Sequence, residues 1–172
     1  MPKSDQGVSS DRYQLIPRTL IFVKQGERVL LLKGAPTKRL WPNRYNGIGG
    51  HIERGEDALS SARRELFEEA GLQGGRMWLC GTIFVDASDR VGIGIFVFRC
   101  DFDSGEQVTP KPSDEGTLEW IPFDQYDRYP LVEDLKRLLR LIMEKPYGSP
   151  PFSARSYYDE NDELQLDFVS VS

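Results

Sequence analysis

The chain has few of the residues that build metal-sulfur sites or disulfide frameworks. One histidine and two cysteines occur in 172 residues. Two cysteines are too few for a disulfide framework in a chain of this length. A zinc site is not expected either, because His51, Cys80 and Cys100 lie far apart in sequence and the usual site needs about four ligands. Both cysteines sit in apolar stretches, so we expect buried, reduced thiols and a cytoplasmic protein.

Long apolar runs and basic clusters are also missing. The longest nearly apolar stretch, residues 91–98, is far shorter than the roughly 20 residues that cross a bilayer, and it predicts a strand. The first residues, MPKSDQGVSS, have no apolar signal-peptide region, so we expect neither secretion nor membrane association. The formal charge is −5 and no Lys/Arg-rich run occurs, which argues against polymeric DNA or RNA as a partner. A small polyanion can still bind if cations bring the like charges together.

The composition is that of one soluble globular domain. The chain is 39% hydrophobic and 28% charged, and its length suits a single sizeable core. We expect residues 1–12 to form a flexible polar tail and residues 13–172 to form one domain. No internal repeat occurs.

Strand and helix patterns alternate along that domain. Two β-rich runs flank a turn at residues 25–27, and further strands are predicted in MWLCGTIFVD, VGIGIFVFRCDF and TLEWIPF. A terminal hairpin is expected to turn at residues 160–162. One helix is predicted over residues 57–70, with Gly71 closing it. A second follows from an apolar stripe that Pro146 stops: Leu131, Leu135, Leu138, Leu139 and Ile142. These elements predict an α+β fold with a sheet between helices.

Three carboxylates lie on one face of the first predicted helix. Glu65, Glu68 and Glu69 are spaced i, i+3 and i+4, which makes them neighbours and costs the helix about 0.2–0.5 kcal/mol per like-charged pair. Arg64 cannot neutralise all three, and hard divalent cations prefer such oxygen ligands. The alternative is a solvated acidic helix face. A preceding glycine-rich turn and Glu56 at the helix start favour the cation site.

These residues also match a family signature. Within GHIERGEDALSSARRELFEEAGL, residues 50–72, nine positions carry the pattern: Gly50, Glu56, Arg64, Glu65, Leu66, Glu68, Glu69, Gly71 and Leu72. The segment resembles the Nudix box at every defined position. The resemblance implies a Nudix fold, an α/β/α sandwich with a mixed sheet. It also implies hydrolysis of a nucleoside diphosphate linked to another group.

The resemblance implies roles for the residues of the box. Mg²⁺, for which Mn²⁺ can substitute, would bridge the pyrophosphate on a set of ligands: the Gly49 carbonyl, Glu65, Glu68 and Glu69. Glu56 and Arg64 would orient these acids. A water activated by the metal would attack phosphorus, and either Glu65 or Glu68 would accept its proton.

Patches outside the box are similar to MutT-type hydrolases of oxidised purine nucleoside triphosphates. They are RYNGIGG, the Ser-Asp-Glu before Trp120, and the C-terminal hairpin. By that similarity Asn46 contacts the base and Glu115 is a further metal ligand. The alternatives are a left-handed turn residue before Gly47 and a solvated loop acid.

The base-reading residues depart from the pattern of the animal enzymes, which have two adjacent aspartates after a tryptophan and a proline. The nearest match here is YPLVED, residues 129–134. Glu133 and Asp134 either hydrogen-bond a purine edge or favour the dipole of the following helix. Lys33 and Trp41 complete the predicted substrate contacts. Trp41, Tyr45 and Phe84 are candidates for stacking on a base, with a place in the core as the alternative.

The prediction for function is therefore hydrolysis of a purine nucleoside triphosphate, such as 8-oxo-dGTP, to the monophosphate and pyrophosphate. Two alternatives stay open. One is an ADP-sugar or dinucleoside-polyphosphate pyrophosphatase, since the box recognises only the diphosphate and its metals. The other is an inactive nucleotide-binding module, which would be expected to lack a catalytic acid. The sequence does not predict an oligomeric state.

Overall fold

A computed structural model describes residues 2–7, 9, 11–111 and 115–169. The strands are β1 (Gln14–Gln25), β2 (Arg28–Gly34), β3 (Tyr45–Asn46), β4 (Arg76–Val85), β5 (Val91–Phe102), β6 (Gly116–Pro122), β7 (Phe152–Tyr158) and β8 (Leu164–Val169). The α-helices are α1 (Ala58–Ala70) and α2 (Leu135–Glu144). Short 3₁₀ helices lie at Lys3–Gln6, within the predicted tail, and at Phe123–Arg128.

The described strands form one mixed eight-stranded sheet. Its order is β3-β2-β1-β5-β4-β7-β8, and β6 pairs with β2. The β1–β5 and β4–β7 pairs are parallel and the other named pairs are antiparallel. The predicted hairpins are confirmed, including the turn at Gly26, whose φ is 56°, and the terminal turn at Asp162, whose φ is 60°.

Each face of the sheet is covered by one helix. Successive residues of a strand point to opposite faces, so Ile21 of β1 packs in the cluster under α1 and Phe22 in the cluster under α2. A strand buried on both faces needs a continuous apolar run, which LIFV in β1 supplies. The predicted α/β/α sandwich is confirmed. Within the described residues, neither helix is long and apolar enough to cross a bilayer.

Helix α1 begins and ends where the sequence predicts. The Asp57 carboxylate accepts hydrogen bonds from the backbone N–H groups of Leu59 and Ser60, which caps the first turn. Gly71 adopts a left-handed φ of 66°, and its N–H donates to the Phe67 carbonyl. Both ends are thus fixed by local chemistry before any tertiary contact forms.

The start of α2 corrects one prediction. Leu131 was expected on the apolar stripe of this helix, but α2 begins at Leu135. Leu131 instead pairs with Tyr45 in a parallel bridge, because the Tyr45 N–H donates to the Pro130 carbonyl and the Val132 N–H donates to the Tyr45 carbonyl. These bonds hold residues 130–132 extended beside β3. Apolar spacing alone does not show that the backbone is paired elsewhere.

Candidate active site

A glycine turn brings the box against strand β1. Gly49 has a φ of 149°, and a Cβ there would lie 2.2 Å from the Thr19 carbonyl oxygen. At Gly50 a Cβ would lie 2.5 Å from the Glu65 Oε1. At Gly49 only glycine permits this approach to the backbone of β1, whereas a side chain at residue 50 would displace the Glu65 carboxylate. The turn therefore places the backbone of residues 49–50 directly beside a carboxylate of α1.

Arg64 contacts three acids, Glu56, Glu65 and Glu68, which with Glu69 form the acidic cluster. Its Nε lies 2.7 Å from Glu56 Oε1, and its Nη2 lies 2.9 Å from Glu56 Oε2. Its Nη1 donates to Glu65 at 2.7 Å and to Glu68 at 3.0 Å. Nη2 also reaches the His51 carbonyl at 3.0 Å. Forked, charge-assisted bonds of this kind fix orientation as well as position. The loop after the glycine turn is thus tied to three acids by one guanidinium.

The Glu56–Arg64 contact keeps both groups charged. Hydrogen bonds from Arg64, followed by the Glu53 N–H, lower the pKa of Glu56 to about 2. The same contacts raise the pKa of Arg64. Glu56 therefore acts as an ionised anchor for the guanidinium.

Glu69 lies in a less balanced environment. Its Oε2 accepts a hydrogen bond from the Gly49 N–H at 3.3 Å. Burial raises the pKa of Glu69 to about 7, and the negative charges of Glu65 and Glu115 add to that rise. The Gly49 bond and the Lys38 ammonium oppose it only in part. Burial thus disfavours the charged form of Glu69, and the neighbouring acids disfavour it further.

The carboxylates do not converge on one point. In the part of the chain that the structure describes, no three acidic, histidine or cysteine side chains are arranged to hold a metal ion. Glu65 and Glu68 face Arg64, whereas Glu69 faces the Gly49 N–H. The donors nevertheless suit Mg²⁺ or Mn²⁺ chemically, because they are hard oxygens on one helix face with excess negative charge. The ligand roles stay predictions.

Glu115, the predicted additional ligand, lies just before β6. Its carboxylate forms an ion pair with Lys38, and its carbonyl accepts a hydrogen bond from the Ala35 N–H at 3.1 Å. The charge of Glu115 also acts on Glu69. The structure thus brings this loop acid near the helix cluster. No sequence motif marks Lys38, although it lies in a long irregular loop, and loops of that kind are often functional.

Asn46 belongs to the short strand β3, so the alternative of a left-handed turn residue is wrong. Its Oδ1 accepts a hydrogen bond from the Gly47 N–H at 2.8 Å. Register pairs Asn46 with Leu32, and Tyr45 with Lys33. Because side chains alternate along a strand, Lys33 shares a face with Tyr45 and not with Asn46. These two predicted substrate contacts are therefore not adjacent.

Tyr45 is a core residue rather than an exposed stacking group. It is 4% exposed, its hydroxyl donates to Glu119 at 2.8 Å, and Tyr129 packs edge-on with ring centroids 5.4 Å apart. Burial, followed by Glu119, raises the pKa of Tyr45 to about 12. The Lys33 ammonium lies 5.6 Å from the ring centroid. Sequence reasoning missed Glu119, which no motif marks.

The remaining substrate candidates are more scattered. Trp41 is 48% exposed with a φ of 53°, so it is not a core residue. Phe84 is also exposed. Glu133 is exposed, and Asp134 is half-buried at the start of α2, where its side chain makes no capping hydrogen bond. Burial, as the largest cause, raises the pKa of Asp134. The residues directly beside β3 are apolar, namely Leu131 and Val132.

The NUDIX domain family matches residues 14–142 of the sequence. The chain belongs to the Nudix hydrolases. This Nudix hydrolase is 35% identical over 132 residues to an oxidized purine nucleoside triphosphate hydrolase of Danio rerio, covering 70% of this chain and 81% of the relative. It is 33% identical over 130 residues to the protein of the same description in Mus musculus, covering 74% and 79%.

The fold is also that of solved MutT proteins. The MutT protein of Bacillus halodurans superimposes with a TM-score of 0.73 at 22% sequence identity, over 90% of this chain and 97% of that one. At this identity the likeness shows the architecture. The predicted Nudix fold is confirmed.

Proposed function

We propose that this Nudix hydrolase cleaves a purine nucleoside triphosphate to the monophosphate and pyrophosphate with Mg²⁺, and that it prefers an 8-oxidised purine. The observation that carries the reaction is the acid cluster on α1, where one arginine faces three carboxylates of a complete box. The preference for an oxidised purine is supported by relatives at 35% and 33% identity that carry that activity in their names.

The residues of the box would divide the work of the reaction. The ion would be held by the Gly49 carbonyl, Glu65, Glu68, Glu69 and Glu115, and it would supply charge neutralisation and a more acidic water. Arg64 binds one oxygen each of Glu65 and Glu68. The second oxygen of each carboxylate could therefore bind the ion or accept a proton. Glu65 or Glu68 takes the proton of the attacking water. The water would attack one phosphorus atom of the α–β anhydride in line, and the leaving group, either pyrophosphate or the nucleoside monophosphate, would depart with the electron pair of the broken P–O bond.

The base would be recognised from β3 and the segment leading into α2. Oxidation at C8 adds an N7–H donor to the purine. An amide or carboxyl acceptor, such as Asn46 or Asp134, can pair with that donor, whereas the normal purine leaves a polar group unmatched. Such a mismatch costs about 1–3 kcal/mol, which is roughly tenfold or more in kcat/KM. Trp41 and Glu133 are further proposed substrate contacts, and Lys33, which lies on the face opposite to Asn46, would contact a different part of the substrate.

A kinetic panel tests the proposal. It compares dGTP with 8-oxo-dGTP, ADP-ribose and dinucleoside polyphosphates, with products identified by chromatography and Mg²⁺ omitted in a parallel series. We expect metal-dependent release of pyrophosphate and at least about tenfold higher kcat/KM on 8-oxo-dGTP. Asn46→Ala and Asp134→Ala should reduce that ratio without changing metal dependence, whereas Asp124→Ala, an exposed acid in the Phe123–Arg128 turn, should not.

Other outcomes would redirect the proposal. Equal rates on normal and oxidised purines would remove the preference for oxidised substrate. Faster hydrolysis of ADP-ribose would place the protein among pyrophosphatases of nucleoside diphosphate sugars. Binding without turnover on every substrate would indicate an inactive nucleotide-binding module.

A further inference from the structure

The loop between β2 and β3 is closed at its base and holds Lys38 in a defined place. The Asn43 N–H donates to the Gly34 carbonyl, and the Gly34 N–H donates to the Arg44 carbonyl, both at 3.0 Å. Within the loop, the Lys38 N–H donates to the Ala35 carbonyl, also at 3.0 Å. These backbone bonds restrict where the lysine side chain can reach. The loop of residues 35–43 therefore has a defined conformation that its own backbone hydrogen bonds close.

Glu115 reaches the same place from the other side of β2. Gly116 pairs with Gly34 across the β2–β6 ladder, and at its φ of 153° a Cβ would lie 2.0 Å from the Lys33 carbonyl oxygen. The Ala35 N–H bonds the Glu115 carbonyl. Two chain connections therefore leave one end of the sheet side by side. Their charged side chains meet as the Lys38–Glu115 ion pair, with 34% and 50% of the two side chains exposed.

This ion pair lies at the end of β2 that is paired with β3. Three residues after β3, the Gly49 N–H donates to Glu69 of α1 at 3.3 Å, so the chain leads from this loop directly to the acid cluster. The neighbouring Arg39 is exposed and makes no ion pair with the described residues. Of the two cations in this stretch of loop, Lys38 is thus the one that contacts an acid of the proposed site.

We propose that Lys38 is a phosphate-binding residue, which Glu115 holds beside the active site until a divalent ion takes the Glu115 carboxylate. The inference rests on the proposed function. With Glu115 engaged by the ion, the Lys38 ammonium would lose its anionic partner while the loop keeps it at this end of the sheet. It could then bind the phosphate oxygens of a substrate diphosphate as a point charge.

Two consequences distinguish this role from that of a surface ion pair. Lys38 competes with the divalent ion for Glu115, so removing the lysine strengthens metal binding. Lys38 later contacts phosphate, so removing it weakens binding of the diphosphate. A merely structural contact moves neither quantity in these opposed directions, since half-exposed ion pairs stabilise a fold only slightly.

The first experiment is a calorimetric titration of metal-free protein with Mn²⁺. Lys38→Met should bind Mn²⁺ about two- to fivefold more tightly than wild type, which is the range set by a partly exposed ion pair. Arg39→Met is the matched control, because it removes an equal charge one residue away, and it should give a clearly smaller gain. In the background of Glu115→Gln, Lys38→Met should lose its advantage. Unchanged or weaker Mn²⁺ binding by Lys38→Met would overturn the inference.

The second experiment measures binding of inorganic pyrophosphate to the Mn²⁺-saturated protein. Lys38→Met should weaken it by about three- to tenfold, as expected for a partly exposed charge-assisted contact. Lys38→Arg, which keeps the charge, should restore most of the affinity, and Arg39→Met should leave it near wild type. Equal pyrophosphate affinity for Lys38→Met and wild type would also overturn the inference. Neither titration requires turnover, so both effects can stand even if the triphosphate panel fails, and the reverse also holds.

Discussion

Two clusters of side chains around an arginine make similar contacts but differ in their charge balance. Arg99 in β5 forms an ion pair with Asp101: its Nη2 donates to Oδ2 at 3.0 Å, and its Nε lies 2.7 Å from Oδ1. It also donates to the Ile142 and Lys145 carbonyls, each at 2.7 Å, at the end of α2. The side chains of Arg99 and Asp101 are only 5% and 11% exposed. Here one cation meets one anion, and Nη1 donates to two backbone carbonyls at the end of the helix.

The Arg64 cluster lacks that balance. One guanidinium faces Glu56, Glu65 and Glu68, and Glu69 lies beyond its direct contacts. A buried, balanced ion pair fixes the packing of a helix on a sheet. Surplus negative charge instead destabilises the metal-free protein and favours the binding of a cation. Charge balance therefore distinguishes the structural arginine cluster from the one that forms a candidate site.

The largest effect is expected from breaking the balanced pair. Arg99→Met should lower the free energy of unfolding by about 3–5 kcal/mol, because it leaves Asp101 as a buried, unpaired charge. Denaturant unfolding measures this loss, and the double variant Arg99→Met with Asp101→Asn should recover part of it. The folded fraction should keep its kcat/KM. A loss below about 1 kcal/mol would mean that water reaches the pair freely.

Changes in the unbalanced cluster should show the reverse pattern. Glu68→Gln or Glu69→Gln should lower kcat by at least about 10²-fold, because a lost ligand weakens stabilisation that grows in the transition state. Without metal, neither variant should be less stable than wild type, since each removes like-charge repulsion. Glu163→Gln, a distant exposed acid, serves as the control. Near-normal activity in both cluster variants would remove the proposed metal site, and a large loss of metal-free stability would make the cluster structural.

Adding a divalent metal should stabilise the protein through the Arg64 cluster and not through the Arg99 cluster. At a hundredfold excess over Kd, Mg²⁺ or Mn²⁺ should stabilise the native state by about 2.7 kcal/mol, which raises Tm by roughly 5–10 °C for a domain of this size. Thermal unfolding followed by circular dichroism measures the shift. The Arg99 variant should respond as wild type does, and Glu68→Gln should respond less. A shift that sodium salts reproduce at equal ionic strength would be screening instead of binding.

The smallest effect concerns a carboxyl that belongs to neither cluster. Burial raises the folded-state pKa of Asp134, and the adjacent Glu133 adds to the rise. The unfolded chain therefore releases this proton at lower pH than the folded chain, so stability falls as pH rises from near the ordinary value of 3.8 through the raised pKa. Asp134→Asn should be slightly more stable than wild type at pH 7 and equal to it near pH 3. Unfolding curves at both pH values measure this, and a less stable variant at pH 7 would reveal a cap that the geometry does not show.

Features fixed by contacts between residues close in sequence were predicted correctly, whereas features fixed by contacts between distant residues were not. Helix α1 could be placed because Asp57 and Gly71 fix its ends through neighbours in the chain. The start of α2 could not, since Leu131 fits the helical stripe and only pairing with Tyr45 removes it from the helix. The same holds for Asn46, whose turn-like sequence context does not reveal its place in a strand.

The family, the fold class and the acids on α1 could be predicted from the sequence, because these depend on residue types at fixed spacing. Which charges meet across long separations depends on tertiary structure. It joined Lys38 to Glu115 and Tyr45 to Glu119, and it placed Lys33 and Asn46 on opposite sides of a strand pair. The physical reason is that spacing along a helix sets contacts within one turn, whereas contacts between loops depend on the register of the sheet that brings their ends together.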